Sequence, residues 1–153
     1  MCKTYVLMTE GKVVTIRSFE RGEMKMCAID SPDSTHNDHV VQIHKRTSNN
    51  KQQMAFCFPW RGNSYCIKVV DKCLKVEMAN YTPDKISDNQ WFVMQNDGDG
   101  DNYSLSPLVA PRCCLAVLAE KPYTFILSDN RSDSVQVTAE TIEGVNPQSN
   151  CSF

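Results

Sequence analysis

The 153-residue sequence has no segment that reads as a helix, no apolar run of membrane-spanning length and no C-x-x-C pair. The first absence points to an all-β chain, the second speaks against membrane insertion, and the third removes the spacing that zinc sites favour. Catalytic signatures are missing too. There is no G-x-S-x-G elbow, no Walker-type glycine loop, no dinucleotide fingerprint and no H-E-x-x-H helix, so the chain is expected to work by recognition and not as an enzyme. A Cys–His nucleophile pair stays open, because such partners meet only in space. A net charge of −2 supplies no global attraction to a phosphate backbone, so nucleic acid is not an expected partner. Lys45-Arg46, and Arg17 with Arg21, are the best local basic candidates, and they read first as solvated loop charges. The N-terminus, MCKTYVLMTEGK, lacks the charged start, apolar stretch and cleavage site of a secretory signal. Synthesis in the cytosol is therefore expected, although a mature fragment restarted at Met1 reads the same way.

Two clusters invite a metal reading and fail it. His36, His39 and His44 lie near Asp33 and Asp38, but Pro32 and Asn37 mark a loop, and His39 and His44 would face opposite sides of an extended chain. The segment NDGDGDNY (96–103) starts like a calcium loop. Asn102, however, fills the required glycine position and Leu108 the closing acidic one. It reads instead as a hairpin connection in which Asp-Gly pairs tolerate positive φ. No metal and no cofactor are expected.

What is present is a rhythm of short strand-like runs in three groups of four. KTYVLM, KVVTIR, EMKMCAI and HVVQIHK form the first; QMAFCF, SYCIKVV, CLKVEMA and QWFVMQ the second; NYSLSPL, CCLAVL, YTFIL and SVQVTA the third. Each has the period-two or continuous apolar character of a strand with a buried face. The groups open near residues 4, 53 and 102, a repeat of about 49 residues. Four strands taken three times close naturally into a six-stranded barrel capped by three hairpins, the β-trefoil, because closure removes open edges. An immunoglobulin-like sandwich ranks second, since it wants about seven strands and no threefold spacing. No linker or composition break divides residues 1–153, so one domain is expected.

Of the eight cysteines, Cys27, Cys57, Cys66, Cys113 and Cys114 fall inside expected strands and Cys73 opens one. There a thiol serves as a small apolar group, and mostly free thiols are expected. Adjacent Cys113 and Cys114 must face opposite sides, leaving one exposed to oxidation. The sequons at Asn80, Asn102, Asn130 and Asn150 matter only in the secretory pathway.

From Met54 to Thr138 the order of segments resembles the interleukin-1 family of cytokines, and its interleukin-18 branch most. The resemblance rests on QMAFCF, a strand ending in CIKVV, CLKVEMAN, the bridge YTPDKISDN, QWFVMQN, and CLAV followed by EKPYTFIL. Upstream, VTIRSFERGEMKMCAID resembles the opening hairpin of that branch, with KTYVLM read either as the first strand or as a preceding arm. The resemblance implies a cytokine secreted by a leaderless route and monomeric when free. It would dock on the immunoglobulin-like domains of an interleukin-1-type receptor ectodomain and recruit an accessory receptor chain. By position it implies receptor contacts at Lys12, Arg17, Glu20, Arg21, Asp30 and Met54. Residue chemistry adds Trp60 and Arg61, because the FPWRGN turn sets a large aromatic beside a guanidinium in an expected surface loop. The alternatives at these positions are a Trp60 that folds back to plug the barrel and an Arg17–Glu20 ion pair within the chain. Trp91 and Phe92 are assigned to the core. Rival functions are an antagonist of the same family, a trefoil protease inhibitor and a sugar-binding trefoil, whose signature would be a tripled pocket. Here Gln90-Trp91 in one repeat is matched only by Gln136-Val137 in another.

Overall fold

The computed structural model describes residues 2–30, 40–79, 85–95 and 102–141. The His36–His39 loop, the Asp-Gly segment 96–101, and the sequons at Asn80 and Asn150 lie outside the described residues. Those described contain no α-helix and twelve strands. These are β1 (Cys2–Thr9), β2 (Lys12–Ser18), β3 (Met24–Ile29), β4 (Val41–Ser48), β5 (Lys51–Trp60), β6 (Asn63–Val70), β7 (Cys73–Met78), β8 (Phe92–Gln95), β9 (Ser104–Pro107), β10 (Cys114–Val117), β11 (Phe125–Ser128) and β12 (Thr138–Thr141).

Turn chemistry fixes the hairpin registers. Glu10-Gly11, Asn49-Asn50, Arg61-Gly62 and Asp71-Lys72 all have positive φ at both positions, the twist that suits two-residue hairpins. In the β5–β6 hairpin, Trp60 pairs with Asn63, so Arg61-Gly62 is the whole connection.

Six strands form a ring. β1 pairs with β4, β4 with β5, β5 with β8, β8 with β9, and β12 with β1. The last junction, between the β9 and β12 segments, is the isolated bridge Tyr103–Val137. Tyr103 N–H donates to the Val137 carbonyl at 3.1 Å, and Val137 N–H donates back at 2.9 Å. The remaining strands make three hairpins, β2–β3, β6–β7 and β10–β11, whose outer strands β3, β7 and β11 contact one another across the end of the ring. This is the β-trefoil expected from the repeat. KTYVLM is its first strand, not an arm, since β1 pairs with β2, β4 and β12.

Several strand ends differ from expectation by a few residues, two of them for a visible local reason. Strand eight was expected from Gln90, yet Asp88–Gln90 form a 3₁₀ turn in which the Gln90 side-chain oxygen accepts from Ser87 N–H at 3.0 Å. Strand twelve was expected from Ser134, but Asn130 caps a 3₁₀ turn at Arg131–Asp133 by accepting from Ser132 N–H. Regular pairing with β1 then begins only at Thr138. In both places a side chain satisfies backbone donors and so competes with the sheet.

The main core, shared by ring and hairpins, holds Leu7, Ile16, Ile43, Phe58, Ile67 and Leu115, all fully or almost fully buried, each contributing about 1.5–3 kcal/mol relative to exposure. β5 is buried on both faces from Gln53 to Phe58. Met54, Phe56 and Phe58 face the main core, while Ala55 and Cys57 join Trp91 in a second cluster covered by Ala79, Ile86 and Leu108. Trp91 and Phe92 are therefore both core residues, in different clusters. The cysteines follow the expectation of free thiols among the described residues. Cys114 is buried and its neighbour Cys113 half-buried.

Met54 requires a correction. It has 0% exposure and packs inside the barrel, so it cannot touch a receptor. Met54→Ala is expected to lower unfolding free energy by about 2–5 kcal/mol in denaturant melts. Burial also pushes the Cys57 thiol from 9.0 up to about 11, against a hydrogen bond from Ser64 and with a smaller push from Cys66, its partner across the β5–β6 pair. An unfolded chain ionises this thiol near its ordinary value while the folded one keeps its proton. Stability is therefore expected to fall as pH rises from 9.0 to about 11, and Cys57→Ala should flatten that slope in melts run under reductant.

Candidate functional site

The opening hairpin β2–β3 carries most of the nominated residues because its two strands are in register. Lys12 and Asp30 close its open end with their charged groups 3.9 Å apart. Asp30 also lies 4.0 Å from Lys121, and the Lys12 ammonium sits 4.9 Å from the Tyr123 ring centre. The segment holding Lys121 and Tyr123 is tied to β3 by Ala28 N–H donating to the Tyr123 carbonyl at 3.0 Å and by the Cys27–Thr124 bridge. A shallow groove of about 250 Å³ runs between them, lined by Arg17, Phe19, Asp30 and Pro122 among others.

Farther along β2, the Arg17 guanidinium donates to the Ile16 carbonyl at 2.8 Å and to Thr15 Oγ1 at 3.2 Å. It lies over the Trp60 ring at 5.2 Å, and Arg61 lies over the same ring at 5.2 Å. Two cations over one indole form a cation–π cluster, each contact worth about 0.5–1 kcal/mol where water is near. Trp60 ends β5 and is half-buried, its body packed against the core. Trp60 thus packs back on the core and still offers an edge to solvent. Beneath the hairpin, burial raises the Cys27 thiol above its ordinary value, partly offset by Arg17.

Arg17 and Asp30 therefore line one groove, with Lys12 beside Asp30 at the hairpin's open end and Trp60 and Arg61 against Arg17. Glu20 and Arg21 stand exposed in the 3₁₀ turn at the hairpin tip, where Arg21 takes φ 63°. Met54 is excluded by burial. Sequence reasoning did not single out Lys121, Tyr123 or Phe19. The phrase EKPYTF carried only the family resemblance, and no spacing rule joins it to a hairpin some 90 positions earlier in the chain.

Two other candidates are engaged in structure. Lys45 lies 4.8 Å from the Tyr5 ring centre and Arg46 lies 4.0 Å from that of Trp91, with Arg46 Nε donating to Gln53 at 2.7 Å. The pair covers aromatic faces and forms no basic patch. Gln90 and Trp91, the lectin-like pair, are 2% and 3% exposed, and the Gln90 side-chain oxygen is occupied by Ser87. That pair offers no platform to a sugar. Among the described residues no three His, Cys, Asp or Glu side chains are grouped to hold a metal ion.

No protein-family model and no curated protein matches this sequence. Solved structures do match it in shape. Chicken interleukin-1 beta aligns with a TM-score of 0.64 at 9% identity, covering 91% of this chain and 96% of that one. SeviL bound to asialo-GM1 saccharide gives 0.59 at 8% identity, covering 92% and 98%. The lysenin pore gives 0.60 at 10% identity over 92% of this chain, which spans about half, 46%, of the lysenin chain. At such identities the likeness concerns the fold. This chain has an interleukin-1-like β-trefoil fold.

Proposed function

We propose that this chain is a cytokine of the interleukin-1 type, interleukin-18-like in sequence, and not an enzyme. One rigid barrel would bind the immunoglobulin-like domains of an interleukin-1-type receptor ectodomain, and the pair would then recruit an accessory chain to signal inflammation. The protein would be cytoplasmic before release by a leaderless route. The observation that carries this reading is the convergence of Lys12, Arg17 and Asp30, nominated by family resemblance, with Trp60 and Arg61, nominated by side-chain chemistry.

The surface has the composition of a binding hot spot. Trp and Arg are enriched in measured hot spots, Trp for the large rigid area it buries and Arg for its planar, multiply donating guanidinium. Arg17 is held by three contacts before any partner arrives, which lowers the ordering cost of association. The Lys12–Asp30–Lys121 group lies toward the rim, where charges chiefly steer encounter and set salt dependence. A second patch, for the accessory chain, follows from the two-receptor mechanism and is assigned no residues.

Pull-downs with the primary and accessory ectodomains, separately and together, test this reading. Capture by the primary chain followed by a ternary complex is the expected outcome. Capture by the primary chain alone means an antagonist, and glycan-array binding without receptor capture means a sugar-binding trefoil. Arg17→Glu and Arg61→Glu should each weaken primary-receptor affinity at least about tenfold, Arg61→Glu with thermal melting nearly unchanged and Arg17→Glu with a modest loss as its own contacts go. Trp60→Ala should weaken it further, at some cost in stability because the ring also packs on the core. Unchanged affinity in all three would refute the site.

A further inference from the structure

The end of the barrel where the three hairpins meet is incompletely filled. β3, β7 and β11 each pair with their own hairpin partner and contact one another here, β3 also joining the segment that enters β11 through the Cys27–Thr124 bridge. Between them lies a cavity of about 970 Å³, at the upper end of the roughly 300–1,000 Å³ typical of small-molecule sites. Met26 and Phe125 are buried at its base, and Met24, Leu74, Val76 and Leu127 line its walls half-buried. At its mouth Leu118 is 46% exposed and Ile126 38%. Apolar side chains are thus left in reach of solvent along this wall.

Charge around the cavity is unbalanced in one direction. Two carboxylates line it, and each already has a cation: Glu23 lies 3.9 Å from Lys25, and Glu77 lies 2.5 Å from Lys68. Lys72 and Lys75 also line it, and among the described residues neither has an ion-pair partner. Lys75 stands directly across the β6–β7 pair from Lys68, whose charge Glu77 already matches, so Lys72 and Lys75 are the ammonium groups left for a further anion.

We propose that this cavity binds a long-chain fatty acid anion, with its alkyl chain along the Met24–Leu74–Leu127 wall and its carboxylate between Lys72 and Lys75. A neutral lipid would leave both ammonium groups unmatched. A cationic amphiphile would be repelled, and a small anion would gain nothing from the apolar wall.

The two tryptophans allow a direct test. Trp60 lines the cavity, whereas Trp91 sits in the second cluster, so a Trp91→Phe variant makes Trp60 the sole reporter. Titration with brominated stearate, whose bromines quench indole on contact, should give saturable quenching. Affinity across a series of saturated fatty acids should rise with chain length, by up to about fourfold per methylene until the cavity is full. Charge reversal at Lys72→Glu with Lys75→Glu should weaken binding at least tenfold, and so should Ile126→Asp at the mouth. Calorimetry on the unsubstituted chain repeats the measurement should Trp91→Phe fold poorly. Three results would each overturn the proposal: no saturable binding below the concentration at which the fatty acid aggregates, equal affinity for an alkyl-trimethylammonium of the same length, or no effect of the lysine reversals. A lysophosphatidate binding more than tenfold tighter than its fatty acid would overturn the carboxylate assignment. Binding is read directly, so failure here leaves the receptor reading untouched.

Discussion

Two reciprocal hydrogen bonds between Tyr103 and Val137 turn a curled sheet into a closed ring. Without them the β9 and β12 segments would leave two free edges, and an open sheet of this length invites pairing with other chains. Closure has a cost at the same point. The Tyr103 phenol is buried with no hydrogen-bond partner among the described residues, and burial, with Tyr5 nearby, holds its pKa well above the ordinary range. An unsatisfied hydroxyl is tolerable because the ring aligns the strands that carry the whole interior core. The hairpin caps depend on that ring, and the recognition surface depends on the caps.

A second constraint follows from strand β5, which cannot be half-exposed. It pairs with β4, β6 and β8 and is covered on both sides, so its side chains must serve two cores. The outer one is small and is sealed by charge. Arg46 lies over Trp91 while contacting Gln53, and Asp88 stands 4.0 Å from the guanidinium. His44 meets the same indole edge-on at 6.1 Å. A residue type that suggests solvent or phosphate thus acts as a lid, its planar cation stacked on an aromatic face. The second cluster also explains why the Gln90–Trp91 pair serves the interior and leaves recognition to the hairpin surface.

Legibility differed between the fold and the surface. Twelve runs with period-two or continuous apolar character located the twelve strands, because each strand's burial is written in its own six or so residues. Boundaries slipped at several strand ends, and at Gln90 and Asn130 a side-chain cap explains the slip. Arg17, Lys12 and Asp30 lie close together because they share a hairpin whose register its own sequence sets. Met54 was misplaced because it was nominated by family position alone, and the apolar run MAFCF around it gave no sign of an exposed side chain. Such a run does not reveal which side chains face the barrel and which face outward, and here even the outward ones are buried.

The pattern of apolar residues and turn pairs by itself determined an all-β chain with a threefold repeat, since both are local properties governed by backbone geometry and water. The tertiary structure alone decided which distant segments share a surface. It set Lys121 and Tyr123 against Asp30 and Lys12, two cations over Trp60, and three hairpins around an unfilled centre. The physical reason is that ring closure brings together residues separated by most of the chain. The loop-closure entropy for doing so is offset by the summed core and by no signal at the contacts themselves.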